Sequence, residues 1–320
     1  MNRPRHVIAH RGASGYLPEH TLASKALAHG MGADFIEQDV VLSRDHVPLV
    51  LHDIYLDTVT DVRSQFPERA RTDGRYYALD FSWAEIQQLH VHERVHVGTD
   101  QAVYPGRFSQ TTLTFRIPSL SQEIELIQGL NRSTGRNVGL YPEIKAPAWH
   151  RQQAVDISRI VIDVLQQYGY QSADDNIFVQ CFDAQETQRL RYEFKSRLKL
   201  VQLIGNNSWK EAPTDFTHLR TPSGIAEVAK YAQAVGPHLS HVISGIDERG
   251  GPRVTPFVSL AHDQGMQVHA YTVRADDLPA YVTSFNQLME LLIRDADVDG
   301  VFSDFPDRSR HCLQALRSQG

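Results

Sequence analysis

Short apolar, β-rich runs punctuate the chain, and the stretches between them carry apolar residues at helical spacing. Val7-Ile8-Ala9 is the first run and Asp34 to Leu42 the second. After a long irregular region come Val138 to Ile144, Ile177 to Phe182 and Leu198 to Ile204. Ala232 to His238 is a weaker strand candidate, and Gln267 to Thr272 and Asp299 to Phe302 complete the set. Helices are expected around Thr21 to His29, and over Gln152 to Tyr168, Ala184 to Tyr192, Gly224 to Tyr231, Pro256 to Gln264, Asn286 to Asp295 and Asp307 to Arg317. Eight strands alternating with helices predict an α/β fold, a closed (β/α)8 TIM barrel rather than an open doubly wound sheet. No Gly-x-Gly-x-x-Gly follows the first strand, which counts against a dinucleotide-binding domain.

The segment from Ile54 to Pro118 breaks the alternation. It is rich in charge and turn residues, as in Arg71-Thr72-Asp73-Gly74-Arg75 and Tyr104-Pro105-Gly106, and its apolar periodicity is poor except around Trp83 to Leu89. A structureless loop of that length inside a compact domain is improbable. The expectation is one barrel domain over residues 1–320, with 54–118 as a small subdomain inserted after the second strand. Tyr76, Tyr77, Phe81 and Trp83 read as the core of that subdomain. The barrel ladder is not expected to depend on the insertion, which sits at the catalytic end and can overhang the pocket mouth.

Composition narrows the classes. The 320 residues are 41% hydrophobic and 22% charged, ordinary for a globular protein, with net charge −6. No Lys/Arg-rich run suggests a nucleic-acid surface. No apolar stretch approaches the roughly 18 residues of a membrane span, so stable membrane insertion is not expected. Val7-Ile8-Ala9 is too short for the apolar core of a signal peptide. The chain as written is expected in the cytoplasm, or in the periplasm if a leader has been removed. Cys181 and Cys312 are too few and too far apart for a disulfide framework or a zinc cluster, and read as buried thiols.

In such a barrel the active site lies where strands end and loops begin. Ionisable clusters sit at those places: His10-Arg11-Gly12, Glu37-Gln38-Asp39, Leu51-His52-Asp53 and Glu143-Ile144-Lys145. Glu37 and Asp39 are two apart on a strand and therefore share a face. If that face is the barrel interior, burying both is costly unless a cation binds them. Glu143 supplies a third carboxylate, and an all-oxygen donor set suits a hard cation, Ca²⁺ or Mg²⁺. His10 and His52 each follow an apolar run and are candidates for general acid and general base. Arg11 and Lys145 are cations placed to hold a phosphate. Phe182 and Tyr271, at strand ends, are candidates for the wall of a substrate pocket.

These residues together resemble the glycerophosphodiester phosphodiesterase family, in its longer bacterial, periplasmic-type form. The resemblance rests on Ala9-His10-Arg11-Gly12-Ala13-Ser14-Gly15-Tyr16-Leu17-Pro18-Glu19-His20-Thr21, Glu37-x-Asp39, Leu51-His52-Asp53, Tyr55-Leu56-Asp57, Glu143-Ile144-Lys145, Gln180-Cys181-Phe182-Asp183 and Gly300-Val301-Phe302-Ser303-Asp304. It spans about Val7 to Asp307, insertion included. It implies metal-dependent hydrolysis of small-molecule glycerophosphodiesters to glycerol 3-phosphate and an alcohol. It implies Ca²⁺ on Glu37, Asp39 and Glu143, His10 and His52 as the acid/base pair, and Arg11 and Lys145 at the phosphate. A homodimer is left open. The chain departs from the family pattern at His20, where asparagine is common, and at Arg274, where asparagine is frequent.

Other features carry less. His92 and His96 would share a face of a helix and His90 and His92 a face of a strand, but the cluster lies in the insertion with no carboxylate nearby except Glu93, and reads as solvated surface. Asp304 is left outside the catalytic set, as a cap for the last helix in competition with Ser303. Two alternatives remain: a related phospholipase C- or D-like enzyme acting on intact lipids, and a non-catalytic binding protein on the same barrel. The polar insertion argues against the first. The presence of every acid/base and metal candidate argues against the second.

Overall fold

Parallel strand pairing closes on itself in this chain. The structure is a computed structural model describing residues 4–108, 114–247 and 251–318; residues 109–113 of the expected insertion lie outside the described residues. Its strands are β1 (His6–Ala9), β2 (Phe35–Leu42), β3 (Pro48–Val50), β4 (Gly139–Ile144), β5 (Phe178–Cys181), β6 (Lys199–Ile204), β7 (Ala234–Pro237), β8 (Ile243–Ile246), β9 (Pro252–Val254), β10 (Gln267–Val273) and β11 (Gly300–Ser303). The order β1-β11-β10-β7-β6-β5-β4-β2 is parallel throughout, and β1 also pairs with β2, which closes an eight-stranded barrel. All eight expected strands are in it, including the weak candidate, which forms β7. β3 lies antiparallel on the far half of β2, and β8 and β9 form a separate hairpin.

Period-two alternation decides what each strand shows to the barrel interior. Ile8, Phe35, Tyr141, Phe178, Val201, Ala234 and Phe302 pack together as the inner layer, with Tyr271 against it. Their neighbours Val7, Ile36, Val40, Leu140 and Val179 pack outward with helix residues such as Ile124, Val161 and Leu190. Burying each of these large side chains is worth about 1.5–3 kcal/mol.

Two helix expectations need correction. The expected helix over Gln152 to Tyr168 starts only at Ile157 and runs to Gln167, and Gln152 instead ends a separate helix, Pro147–Gln152. Ala154 adopts φ 61 between them, and the Asp156 side chain caps the second by accepting from the Arg159 amide. The longest helix, Leu120–Thr134, has no counterpart among the expected elements. Its buried residues are only Leu120, Glu123, Ile124 and Ile127, so its apolar stripe is thin. Its ends are nevertheless well signalled, by a Ser119/Gln122 capping box and by Gly135 at φ 69.

Between β3 and this helix the described residues form short helices such as Val62–Gln65 and Trp83–Ile86, turns and isolated bridges, and pack a second cluster that also takes in Val41 and Leu49. Leu56, Phe81, Ile86, Leu89 and Ile117 are central to it, with Trp83 at its margin.

One charged contact lies beneath the strand ends. Lys25 Nζ meets Glu123 at 3.1 Å, and both side chains are fully buried. Lys25 also bonds the Glu37 carbonyl and, at 3.1 Å, His20 Nδ1. Lys25→Met should destabilise the protein by roughly 3–5 kcal/mol, the scale for breaking a buried ion pair. Urea denaturation measures this; a loss below about 1 kcal/mol would equate the pair with an exposed one.

Candidate active site

Strand register assembles the acidic group. Asp39 on β2 is paired with Glu143 on β4, and Glu143 with Gln180 on β5. Glu37 lies two residues before Asp39, on the same inward face as Phe35. Glu37, Asp39 and Glu143 are buried, and each offers a carboxylate oxygen within 4.8 Å of the others'. Glu37 accepts from the Arg11 amide at 2.8 Å and from Gln180 Nε2 at 2.9 Å. Burial and neighbouring Asp39 push its carboxyl above the usual range. Burial, reinforced by Asp39 and Glu37, pushes Glu143 up further, against the pull of Lys145. Burial alone would raise Asp39 too, but the His20 hydrogen bond, with His52 and Lys145 nearby, holds it well below the carboxylate range. Asp39 Oδ1 is buried with no hydrogen-bond partner.

The two histidines are held alike. His10 follows β1 and Asp304 follows β11, and the β1–β11 register makes them neighbours. His10 Nδ1 donates to Asp304 Oδ1 at 2.5 Å, leaving Nε2 facing Glu37 Oε2 at 3.9 Å. The Leu51 amide bonds the Asp39 carbonyl, which carries the chain from β3 back across the barrel mouth. The next residue, His52, donates from Nδ1 to Asp53 Oδ1 at 2.6 Å, and its Nε2 accepts from Lys145 Nζ at 3.5 Å. Burial, Arg11 and Lys145 lower the His52 pKa, which favours the neutral imidazole with its Nε2 lone pair turned to Lys145.

Lys145 continues the inward face of β4 two residues past Glu143 and contacts it at 2.8 Å. Arg11 adopts φ 57, bonds Glu19 at 3.0 Å and approaches Asp39 at 3.6 Å. His20, at φ 61, donates from Nε2 to Asp39 Oδ2 at 2.8 Å and takes a bond from Lys25 on Nδ1. Burial, with Lys25, pushes its pKa down to about 3. A neutral imidazole N–H there does what an amide N–H could do for the same carboxylate.

A cavity of about 210 Å³ is lined by His10, Arg11, His52, the three carboxylates, Phe182 and Tyr271. All the residues singled out in the sequence thus meet in one place except Lys145, which borders it through His52 and Glu143. A second, adjoining space of about 160 Å³ reaches from His10 and His52 to Arg94, Tyr104 and Arg107. His90 and His96 are exposed and His92 is partly so. The three barrel carboxylates are the metal-type cluster found among the described residues.

Several participants were not foreseen. Asp304 was set aside as a cap, yet it holds His10; Ser303 makes the local bonds, accepting from the Phe305 amide and from Ser309. The available signal was an aspartate one residue past a barrel strand. Asp53 and Glu19 stand inside motifs without an assigned role, Trp209 and Glu211 line the cavity from a loop with no strand-end signature, and His238 lines it from the end of β7, the weak strand candidate. Arg274 bonds Asp304 at 2.9 Å.

A profile described as the glycerophosphoryl diester phosphodiesterase family matches residues 10–308. A glycerophosphodiester phosphodiesterase of Haemophilus influenzae is 42% identical, covering 99% of this chain and 92% of its own length. One from Treponema pallidum is 35% identical, covering 95% and 90%. Among solved structures, a Silicibacter pomeroyi protein superposes with TM-score 0.74 at 22% identity, covering 99% of this chain and 95% of that one. An Oleispira antarctica phosphodiesterase, solved with the product sn-glycerol-3-phosphate, superposes with TM-score 0.64 at 24% identity, covering 98% and 97%.

The turn presenting the Arg11 amide to Glu37 depends on Gly12, at φ +89. A Cβ there would meet Ser24 Oγ at 2.5 Å and the Ser24 carbonyl carbon at 2.9 Å. Gly12→Ala should destabilise the protein by roughly 1–3 kcal/mol through backbone strain alone. An unchanged urea midpoint would show that the turn relaxes freely.

Proposed function

The chain belongs to the glycerophosphoryl diester phosphodiesterase family and is a phosphoric diester hydrolase; we propose that it cleaves glycerophosphodiesters to sn-glycerol 3-phosphate and an alcohol, with Ca²⁺ as cofactor and His10 and His52 as acid and base. The observation that carries this reading is the pairing of two carboxylate-held histidines around a buried three-carboxylate floor.

Glu37, Asp39 and Glu143 would hold the cation. The fit rests on their all-oxygen donor set, on the raised Glu37 and Glu143 carboxyls, and on the unpartnered Asp39 Oδ1. When bound, the cation supplies charge neutralisation at the phosphoryl oxygens. Arg11 and Lys145 hold the phosphate from the rim and stabilise the charge that builds on it. Neutral His52, next to Lys145, takes on Nε2 the proton of the glycerol hydroxyl beside the phosphate, which bonds to phosphorus as the P–O bond to the alcohol breaks; the cyclic phosphate so formed is then opened by water to glycerol 3-phosphate. His10, between Asp304 and Glu37, gives a proton from Nε2 to the leaving alcohol oxygen. Phe182 and Tyr271 form the apolar wall against the glycerol carbons. The cavity of about 210 Å³ suits a small diester; no helix among the described residues is long and apolar enough to cross a membrane.

His10→Ala and His52→Ala should each lower kcat on glycerophosphocholine by roughly 10²–10⁴. The double variant should be little worse than the poorer single one, because both groups serve one transition state. Chelation should abolish release of glycerol 3-phosphate, and Ca²⁺ should restore it. Losses below about tenfold in both histidine variants would make them structural, and full activity under chelator would remove the metal.

A further inference from the structure

The insertion reaches both histidines. Asp53 binds His52 through Oδ1, and its Oδ2 accepts from Arg94 Nη1 at 2.6 Å. Asp304 binds His10 through Oδ1, and its Oδ2 accepts from Arg107 Nη2 at 2.6 Å. Each imidazole therefore hangs from a carboxylate whose other oxygen is gripped by an arginine of the insertion. The arginines lie on one short strap: the Val103 amide bonds the Arg94 carbonyl, Val95 bridges Ala102, and the Arg107 amide bonds the Tyr104 carbonyl. Resting on the acid/base reading above, we propose that Arg94 and Arg107 are positioning residues for the two histidines, so that the insertion is part of the catalytic apparatus as well as a cover for the pocket.

The chemistry favours orientation over simple cover. The Arg107–Asp304 pair is shielded, at 5% and 2% exposed, and the Arg94–Asp53 pair partly so, at 16% and 25%. Arg94 also holds Glu19 at 2.7 and 3.0 Å, and Glu19 in turn holds Arg11, so one guanidinium ties the His52 partner to a phosphate-facing cation. Arg107 stacks over the Tyr104 ring at 3.7 Å and binds Asp276 at 2.8 Å, which fixes its angle. A carboxylate with one oxygen fixed cannot swing, so the imidazole on its other oxygen keeps its tautomer and its direction. The barrel's own Arg274 assists at Asp304; among the described ion pairs, Asp53 has Arg94 and His52.

The test uses the full-length, Ca²⁺-loaded protein and glycerophosphocholine. Arg94→Ala and Arg107→Ala should each lower kcat by about 10- to 100-fold, the usual loss when a second-layer orienting group is removed, with KM little changed. Asp53→Asn combined with Arg94→Ala should be no slower than the poorer single variant, because both act through His52. Added guanidinium should restore part of the rate of each alanine variant and none of His52→Ala. Arg94→Lys, which keeps the charge but not the fork, should lie between wild type and alanine, and it decides the matter if the alanine variant does not fold. A rise in KM alone, independent losses in the double variant, or no response to guanidinium would overturn the proposal while His10→Ala and His52→Ala remain inactive. Near-normal activity of the histidine variants would instead bring down the acid/base reading on which it rests.

Discussion

Three carboxylates buried on one face of a barrel wall set the terms for everything near them. Two like charges about 4 Å apart repel by roughly 4 kcal/mol at the effective dielectric of such sites. Glu37, Asp39 and Glu143 cannot all ionise there without compensation, and the directions of their shifts say so: Glu37 and Glu143 rise, and only Asp39, served by His20, falls. A divalent cation held there, as proposed, would turn that repulsion into binding energy.

The surroundings are organised in successive layers of alternating charge. Arg11 stands at the rim against Glu19 and Lys145 against Glu143, Lys25 lies beneath against Glu123, neutral His20 bonds Asp39, and Asp304 and Asp53 hold His10 and His52. Arg94 and Arg107 add further cations from the stretch between β3 and the Leu120–Thr134 helix. Burial works against each charge singly, and the opposite charge of its neighbour offsets that cost. The apolar layer below, from Ile8 to Phe302, supplies the rigid base from which these side chains rise.

Much of this was legible in the sequence because barrel strands obey a simple period. Glu37 and Asp39 share a face for that reason, and so do Glu143 and Lys145. The strand runs were readable as short apolar stretches, even where β7 is only four residues long. What was not legible depends on contacts distant in sequence. Asp304 meets His10 across 294 residues, and nothing local marks it as a histidine partner rather than a cap. Arg94 and Arg107 look like ordinary surface charges in a polar segment, and only the fold brings them to Asp53 and Asp304. The helix at Leu120–Thr134 was hidden by its thin apolar stripe, although its capping box was in plain view.

The most direct measurement of the central claim is a calorimetric titration of Ca²⁺ into chelator-stripped protein, run beside Glu37→Gln, Asp39→Asn and Glu143→Gln. One cation should bind per chain, with affinity sharply weakened in each variant and with a higher unfolding temperature in the loaded wild type. Absence of binding, or binding indifferent to all three substitutions, would contradict the account.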